Sequence, residues 1–492
     1  MIHWLVQGFL FGALIISISL SSSSCSSSTP TPAASPTAKN TSAIIQPPVT
    51  ATTSSATLTA SPTLGSVYFV NPSGNDSNTG RSESSAFRTI QRASNVSIAG
   101  DTILVMNGTY TNDCADCYVV GITRSGTATN WITYKAYPGH NPVLKFNGWA
   151  GFKVMHGASY IEISGFEIIG NAANITLDYA LSQKNNGSNP LTTGAGIAID
   201  GRSGGHPHHI RILKNRVHDC GGGGIGAIQS DYITFSNNEV YNNAWYSPYA
   251  ESGMGTLQSW NYDDSPGYRI VITGNKVYNN RSYVPWLNTG EMSDGNGIII
   301  DDGKNTQNGS TLGAYKGRTL VANNISFGNG GSGIHSYLSE RVDIINNTAY
   351  MNNQTPGLNY GEIFANASGD VTIMNNILVA SPNKAANSNW NNTGLTYDYN
   401  VIFGGSTIAV KGPHDLVLDP QFIAPSLNPL SANFRLTSSS PAINNGVDWA
   451  GIGVDFEGNV RPTSGAYDRG AYEYQPQKIP LWPRPQLFLR QL

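Results

Sequence analysis

The sequence predicts an all-β chain wound as a parallel β-helix, and three observations carry that prediction. The first is composition: of 492 residues only 12% are charged and 54 are glycine, while Gly, Asn, Thr, Ser and β-branched residues outnumber the helix formers, a turn-rich β composition. The second is a repeat. It shows in Arg211-Ile-Leu-Lys-Asn215-Arg-Val, Ile233-Thr-Phe-Ser-Asn-Asn238-Glu-Val-Tyr-Asn-Asn, Ile270-Val-Ile-Thr-Gly-Asn275-Lys-Val-Tyr-Asn-Asn and Ile344-Ile-Asn-Asn347-Thr-Ala-Tyr-Met-Asn-Asn. The anchoring residues Asn215, Asn238, Asn275, Asn324, Asn347, Asn376 and Asn400 are spaced by 23, 37, 49, 23, 29 and 24 residues. The third is alternation: each unit alternates apolar and polar residues and cannot bury its inner face alone, so successive units must stack. Stacked coils place equivalent Asn residues at the strand spacing of about 4.8 Å, where their amides can bond in a ladder.

In chain order, Leu5–Leu20 is apolar and is followed by Ser21–Ser24 and Cys25. This reads as an export signal over 1–24, with Cys25 as a lipid-attachment site, although no Lys or Arg precedes Lys39. Residues 25–65 are Ser, Thr, Pro and Ala, the composition of a disordered tether. The expected β-helix catalytic domain covers 66–475 and a disordered tail 476–492, and the expected location is the cell surface or outside the cell. Cys114 and Cys117 could form a metal half-site, but an exported chain favours a disulfide; the pairing of Cys114, Cys117 and Cys220 stays open. His206-Pro-His208-His209 reads as a solvated turn rather than a metal site. A net charge of −3 with no basic patch excludes a nucleic-acid partner, and a monomer is expected.

Insertions in a solenoid collect on one face, often the binding face, and the two longest lie between Asn238 and Asn324. They bring aromatic residues beside carboxylates and amines. Trp245, Trp260, Tyr262 and Trp286, with Lys316, are the expected contacts to a sugar chain, since pyranose faces pack on rings while hydroxyls and acids take polar groups. The centre of the chemistry is expected at Ser293-Asp294-Gly-Asn-Gly-Ile298-Ile-Ile-Asp301-Asp302-Gly-Lys304. There Ile298 and Ile300 should point inward and Ile299 and Asp301 outward on an exposed sheet face. Asp263, Asp264, Asp301 and Asp302 are candidate ligands for calcium, a hard cation that takes oxygen donors. His335, one coil on, should occupy the slot of Ile299.

Two further segments are Tyr68-Phe-Val-Asn-Pro-Ser-Gly-Asn-Asp-Ser-Asn-Thr-Gly80 with Ala86-Phe-Arg-Thr-Ile-Gln-Arg-Ala93, and a close running from Asp419-Pro-Gln-Phe422 to Asp468-Arg-Gly-Ala-Tyr-Glu-Tyr474. On these residues and the Asn repeats, the chain resembles the right-handed parallel β-helix proteins of the pectate lyase type, most nearly polysaccharide lyase family 9, over roughly Val67 to Tyr474. The first segment looks like that family's N-terminal strand and capping helix; the close is similar to a C-terminal module of surface-anchored β-helices. The resemblance implies a polysaccharide substrate, calcium held by carboxylates on neighbouring coils, and a lysine base projecting after an Asn-Gly turn. Here that turn is Asn296-Gly297, and the lysine position falls near Ile299, which cannot take a proton.

The leading expectation is therefore a lyase cleaving a uronate polysaccharide by β-elimination, with His335 ahead of Lys304 as substitute base. The alternative is an inverting glycosidase using Asp301 with Asp294 or Asp264. The third is a non-catalytic glycan-binding surface protein.

Overall fold

The computed structural model describes residues 65–463 and 465–476; the segments read above as export signal, lipid-attachment Cys25, tether and tail lie outside the described residues, apart from residue 65 at the tether's end and residue 476 at the tail's start. Among these residues the strands form parallel sheets of eleven, nine and ten strands, and each turn of the chain contributes one strand to each sheet. One such coil runs through Ile298–Asp301 of the nine-strand sheet, Arg318–Ala322 of the eleven-strand sheet and Ile325–Phe327 of the ten-strand sheet. Neighbouring coils pair in register, Ile298 with Ile334 and Ile334 with Ile363. The inward residues of all three sheets, among them Ile298, Ile334, Ile272, Val321 and Val277, form one continuous buried cluster.

Two corners of each coil use the same device. A residue with left-handed φ, such as Asn237, Asn323, Asn346 or Gly274, is followed by a buried Asn whose side chain bonds the next coil. Asn is one of the few residues that visits this conformation readily, which is why the Asn-Asn pairs recur. In the first ladder, Asn238 Nδ2 donates to Asn275 Oδ1 at 3.0 Å, Asn275 to Asn324 at 2.9 Å and Asn324 to Asn347 at 3.0 Å. Each Oδ1 also accepts the backbone N–H of the preceding Asn, as Asn275 Oδ1 does from Asn238 at 2.9 Å. The predicted ladder is thus present, and a second one runs through Asn243, Asn280, Asn329 and Asn352. Both donate in one direction, so each must end on an acceptor. The first ends on Asp415 and the second on Glu362.

The helix Ile90–Val96, capped by Thr89, covers the first coil with Ile90 and Ala93 in the core. At the other end Phe422, Phe434 and Tyr472 pack on Phe327, Tyr350 and Ile377, the outer face of the ten-strand sheet. Cys114 and Cys117 form a disulfide, and Cys220 is buried as a free thiol. The long insertions, residues 242–253, 258–267, 279–297 and 302–317, flank the nine-strand sheet on both edges, so they frame its outer face.

Candidate active site

On that outer face the alternation of the strands creates two rows of outward positions. One row is Lys153, Ala198, Gly226, Gly255, Ile299, His335 and Phe364. The other is Asp200, Ile228, Leu257, Asp301, Tyr337 and Asn366. A Cβ on Gly226 would meet nothing within 4 Å, so the face is open there, a flat floor between a cationic end and an acidic end. At the cationic end Asp200 holds Lys153 Nζ at 2.5 Å and Arg202 Nη2 at 2.7 Å. Glu251, on the flanking insertion, accepts the Gly223 N–H and the Ser247 hydroxyl, and burial raises its pKa.

At the acidic end Ile298 and Ile300 point inward as predicted, and Asp301 points outward but is half-buried between the insertions rather than standing on an exposed sheet face. Asp294 has left-handed φ, which turns its carboxyl toward the sheet, where Ser293 Oγ and Asn296 Nδ2 each donate to it at 2.7 Å. Burial outweighs these donors and lifts Asp294 to about 6. Burial pushes Asp301 well above the carboxylate range, and the charges of Asp294 and Asp302 push it further. The charge of Asp294 reaches Asp301, so the two are neighbouring carboxyls, and both resist ionisation.

His335 is in register with Ile299, as expected, but its ring is buried rather than free, stacked on Phe364 at 4.9 Å. Its Nδ1 lies 2.6 Å from Ser332 Oγ. The Ser332 N–H donates to Asn296 Oδ1, which orients that amide, and the Ser332 hydroxyl donates to the same oxygen at 3.0 Å. With its one proton so used, Ser332 accepts from His335 Nδ1–H and leaves Nε2 with the lone pair. Burial lowers the imidazole to about 3, so it is a neutral and weak base. Lys304 is not aimed at the acids either: its Nζ donates to the Ala367 carbonyl at 2.7 Å. Lys153 and Asp200 carried no motif of their own; register along the outer rows is what reveals them.

The calcium set is not assembled. Asp302 accepts from Thr306 N at 2.8 Å, Gln307 N at 2.8 Å and Gln258 Nε2 at 3.0 Å, which makes it the anchor of its own loop. Asp263 takes Tyr232 and Arg269, and Asp264 takes Lys316. Among the described residues no three His, Cys, Asp or Glu side chains converge to hold a metal. Asp302, Asp263 and Asp264 are spent on different neighbours, so the set does not fit the ion, and the Cys114–Cys117 disulfide removes the metal half-site.

The expected sugar contacts also separate. Trp245 packs in a satellite cluster with Tyr246 and Val284, anchoring its insertion, and Trp286 bonds through its own backbone to Glu291. Trp260 stacks on His206 at 4.7 Å and Tyr262 on His208 at 4.0 Å. The histidine run is therefore an aromatic post under the 258–267 insertion, not a solvated turn. Lys316 is paired at the surface and lies outside the acid pair.

Known proteins show similar outlines. The uncharacterized protein YwoF of Bacillus subtilis (strain 168) is 28% identical over 159 residues, 31% of this chain and 29% of that protein, so the match spans under a third of the relative's length. The crystal structure of pectate lyase Pel9A is 17% identical with a TM-score of 0.48, over 83% of this chain and 96% of that one. The GH136 lacto-N-biosidase from Eubacterium ramulus is 15% identical with a TM-score of 0.39, over 68% and 56%. The family model described as "Pel9A-like, right handed beta helix region" matches residues 68–376, well over half of the chain, and with the three parallel sheets in place the chain belongs to this Pel9A-like family of right-handed β-helices.

Proposed function

We propose that this chain is a polysaccharide-cleaving enzyme in which Asp301 is the general acid and Asp294 the general base, that is, a glycoside hydrolase. The observation that supports this is the pair itself: two neighbouring carboxyls beside an open floor, with Asp294 lifted to about 6 and Asp301 pushed well above the usual carboxylate value by burial. Asp294 then ionises near 6, while burial and the charges of Asp294 and Asp302 favour the protonated form of Asp301, the division of labour that glycosidic hydrolysis needs. Glu251 and the Lys153–Arg202 group line the same floor and supply polar contacts to the chain of sugars. The apolar run 5–20 and the tether that follows support action outside the cell, on a polymer too large to enter.

β-Elimination is the second reading, and the His335 tautomer favours it: Nε2 bears a lone pair in the slot next to Ile299. Its weakness is base strength. Burial holds His335 near 3, Lys304 is committed to a carbonyl, and burial together with the three neighbouring carboxylates raises Tyr337, so no group is poised to take the proton.

The test is incubation of the full chain with pectin, alginate, glycosaminoglycan and neutral glycans, read by reducing ends and by the near-ultraviolet absorbance of unsaturated products. Saturated products are expected, with Asp301→Asn and Asp294→Asn each lowering kcat by about 10²-fold or more. The pH profile should rise through about 6 as Asp294 ionises, and fall at higher pH as Asp301 loses its proton. Unsaturated products lost in His335→Ala would replace hydrolysis by elimination; no cleavage of any glycan would sink both.

A further inference from the structure

The Asn296 amide ties the acid pair to the next coil. Met254, Ile298 and Ile334 are paired in line on three successive coils, so Ser252, Asn296 and Ser332, two residues before each, also stand in line. Asn296 is 1% exposed, and every hydrogen-bonding position of its amide is taken. Oδ1 accepts the Ser332 N–H at 2.8 Å and the Ser332 hydroxyl at 3.0 Å, while Nδ2 donates to Ser252 Oγ at 3.0 Å and to Asp294 Oδ1 at 2.7 Å. A backbone N–H can only donate, so the oxygen of the amide must face Ser332 and its NH₂ group must face Asp294. A flipped amide would set N–H against N–H and oxygen against carboxylate inside the protein, where polar groups are almost always paired.

The Ser332 hydroxyl is held in turn by His335 Nδ1–H at 2.6 Å. Donors therefore run one way, from His335 to Ser332 to Asn296 to Asp294. Gly331 lets the coil close over this chain, since a Cβ there would run into Asn296 Oδ1 and the Asp294 carbonyl. Asp301, Tyr337 and Tyr360 face Asp294, each raised first by burial and further by its negative charge. Glu251 and Arg281 meet its loop through backbone: the Glu251 carbonyl accepts the Gly295 N–H, and the Arg281 backbone lies where a Gly295 Cβ would stand. Burial raises Asp294, and the Ser293 and Asn296 donors oppose that rise. Of these two donors the Ser293 hydroxyl can rotate away, whereas the Asn296 amide, locked from behind, cannot.

We propose that Asn296 is the positioning residue of the acid pair: fixed by Ser332 and His335, it presents a permanent donor that holds Asp294 as the proton acceptor. The inference rests on the reading of Asp294 as general base. It also gives the buried His335 a role that needs no proton from the sugar.

Carbon-13 spectra of the aspartate carboxyls, recorded across pH on the full chain and assigned with Asp294→Asn, read the ionisation of Asp294 without any glycan. In the parent it should fall near 6. Asn296→Leu, which keeps the branched shape and removes the donor, should raise it by about one pH unit or more, a tenfold gain in proton affinity. The rising limb of kcat should move with it. Ser332→Ala keeps the N–H and drops the hydroxyl, so it should move both in the same direction by less, and it decides the matter if Asn296→Leu does not fold. Asn275→Ala, which breaks a buried amide of the ladder instead, should leave both where they are. The proposal is overturned if Asp294 ionises at the parent's pH in both Asn296→Leu and Ser332→Ala, or if Asn275→Ala moves it as far. Because the spectra need no substrate, a raised ionisation with no cleavage of any glycan would leave Asn296 in its role and sink the hydrolysis. Saturated products with an unmoved ionisation would do the reverse.

Discussion

The asparagine ladders and the outer face of the nine-strand sheet are built on the same stacking rule and fill their slots in opposite ways. Along the first ladder one slot holds Asn on coil after coil, and every amide donates onward and accepts from behind. Along the outer row a single slot holds Lys153, Ala198, Gly226, Gly255, Ile299, His335 and Phe364 in turn. A slot that repeats its residue serves the stack; one that changes on every coil presents a surface. The sharpest way to break this comparison is Asn275→Ala. It leaves the buried Asn238 backbone N–H and one of its two side-chain N–H groups without an acceptor, the other still donating to the Ile212 carbonyl, at about 1–3 kcal/mol for each unmade bond. A loss of about 3–5 kcal/mol in denaturant unfolding is expected, with the folded fraction still active. A change much smaller than that would mean the ladder only decorates a fold held by its core.

Buried carboxyls sharpen the comparison, because they occur in both regions. Glu362 ends the second ladder, taking Asn352 N at 2.9 Å and Asn352 Nδ2 at 2.5 Å, and burial raises it to about 8 against those donors. Asp301 is raised by the same cause. Displacement of a pKa therefore does not mark a catalytic group here; place does. The folded pKa of Glu362 lies above its unfolded value, so the folded state holds an extra proton between about 4.5 and 8, and stability declines as pH rises across that window. Glu362→Gln cannot ionise, so its melting temperature should gain on the parent from pH 4.5 to 8. At the acid end its unfolding free energy should be lower by about 1–2 kcal/mol, since its NH₂ group faces one of the two Asn352 donors. Activity should be unchanged, in contrast to Asp301→Asn. A parallel pH dependence in the two proteins would show that Glu362 does not hold its proton.

What could be read from the chain follows the same division. The Asn spacing, the inward Ile298 and Ile300 and the register of His335 with Ile299 were legible, because each rests on periodicity. The calcium set and the sugar contacts were not. Asp302 looks free in the sequence, yet its loop folds back and spends its oxygens on Thr306, Gln307 and Gln258. Trp245 looks like a platform and is a packing anchor. Side chains on insertions are positioned by contacts that no repeat encodes. Lys153 and Asp200 were missed because they stand 47 residues apart on neighbouring coils and meet only when the coils stack.

The smallest expected effect concerns the most exposed of the proposed sugar contacts. Lys316 Nζ and Asp264 Oδ1 are 2.8 Å apart, with 61% and 74% of their side chains accessible. Arg269, by contrast, is 1% exposed beside a fully buried Asp231. An exposed pair gains little Coulomb energy in water and gives up side-chain entropy to hold its geometry, so its net worth is about 0–1 kcal/mol, whereas removing one partner of a buried pair strands the other charge. Lys316→Ala should accordingly change the unfolding free energy by less than about 0.5 kcal/mol and leave KM for any cleaved glycan as it was. A rise in KM at unchanged stability would return Lys316 to the substrate surface and extend that surface beyond the acid pair, along the 302–317 insertion.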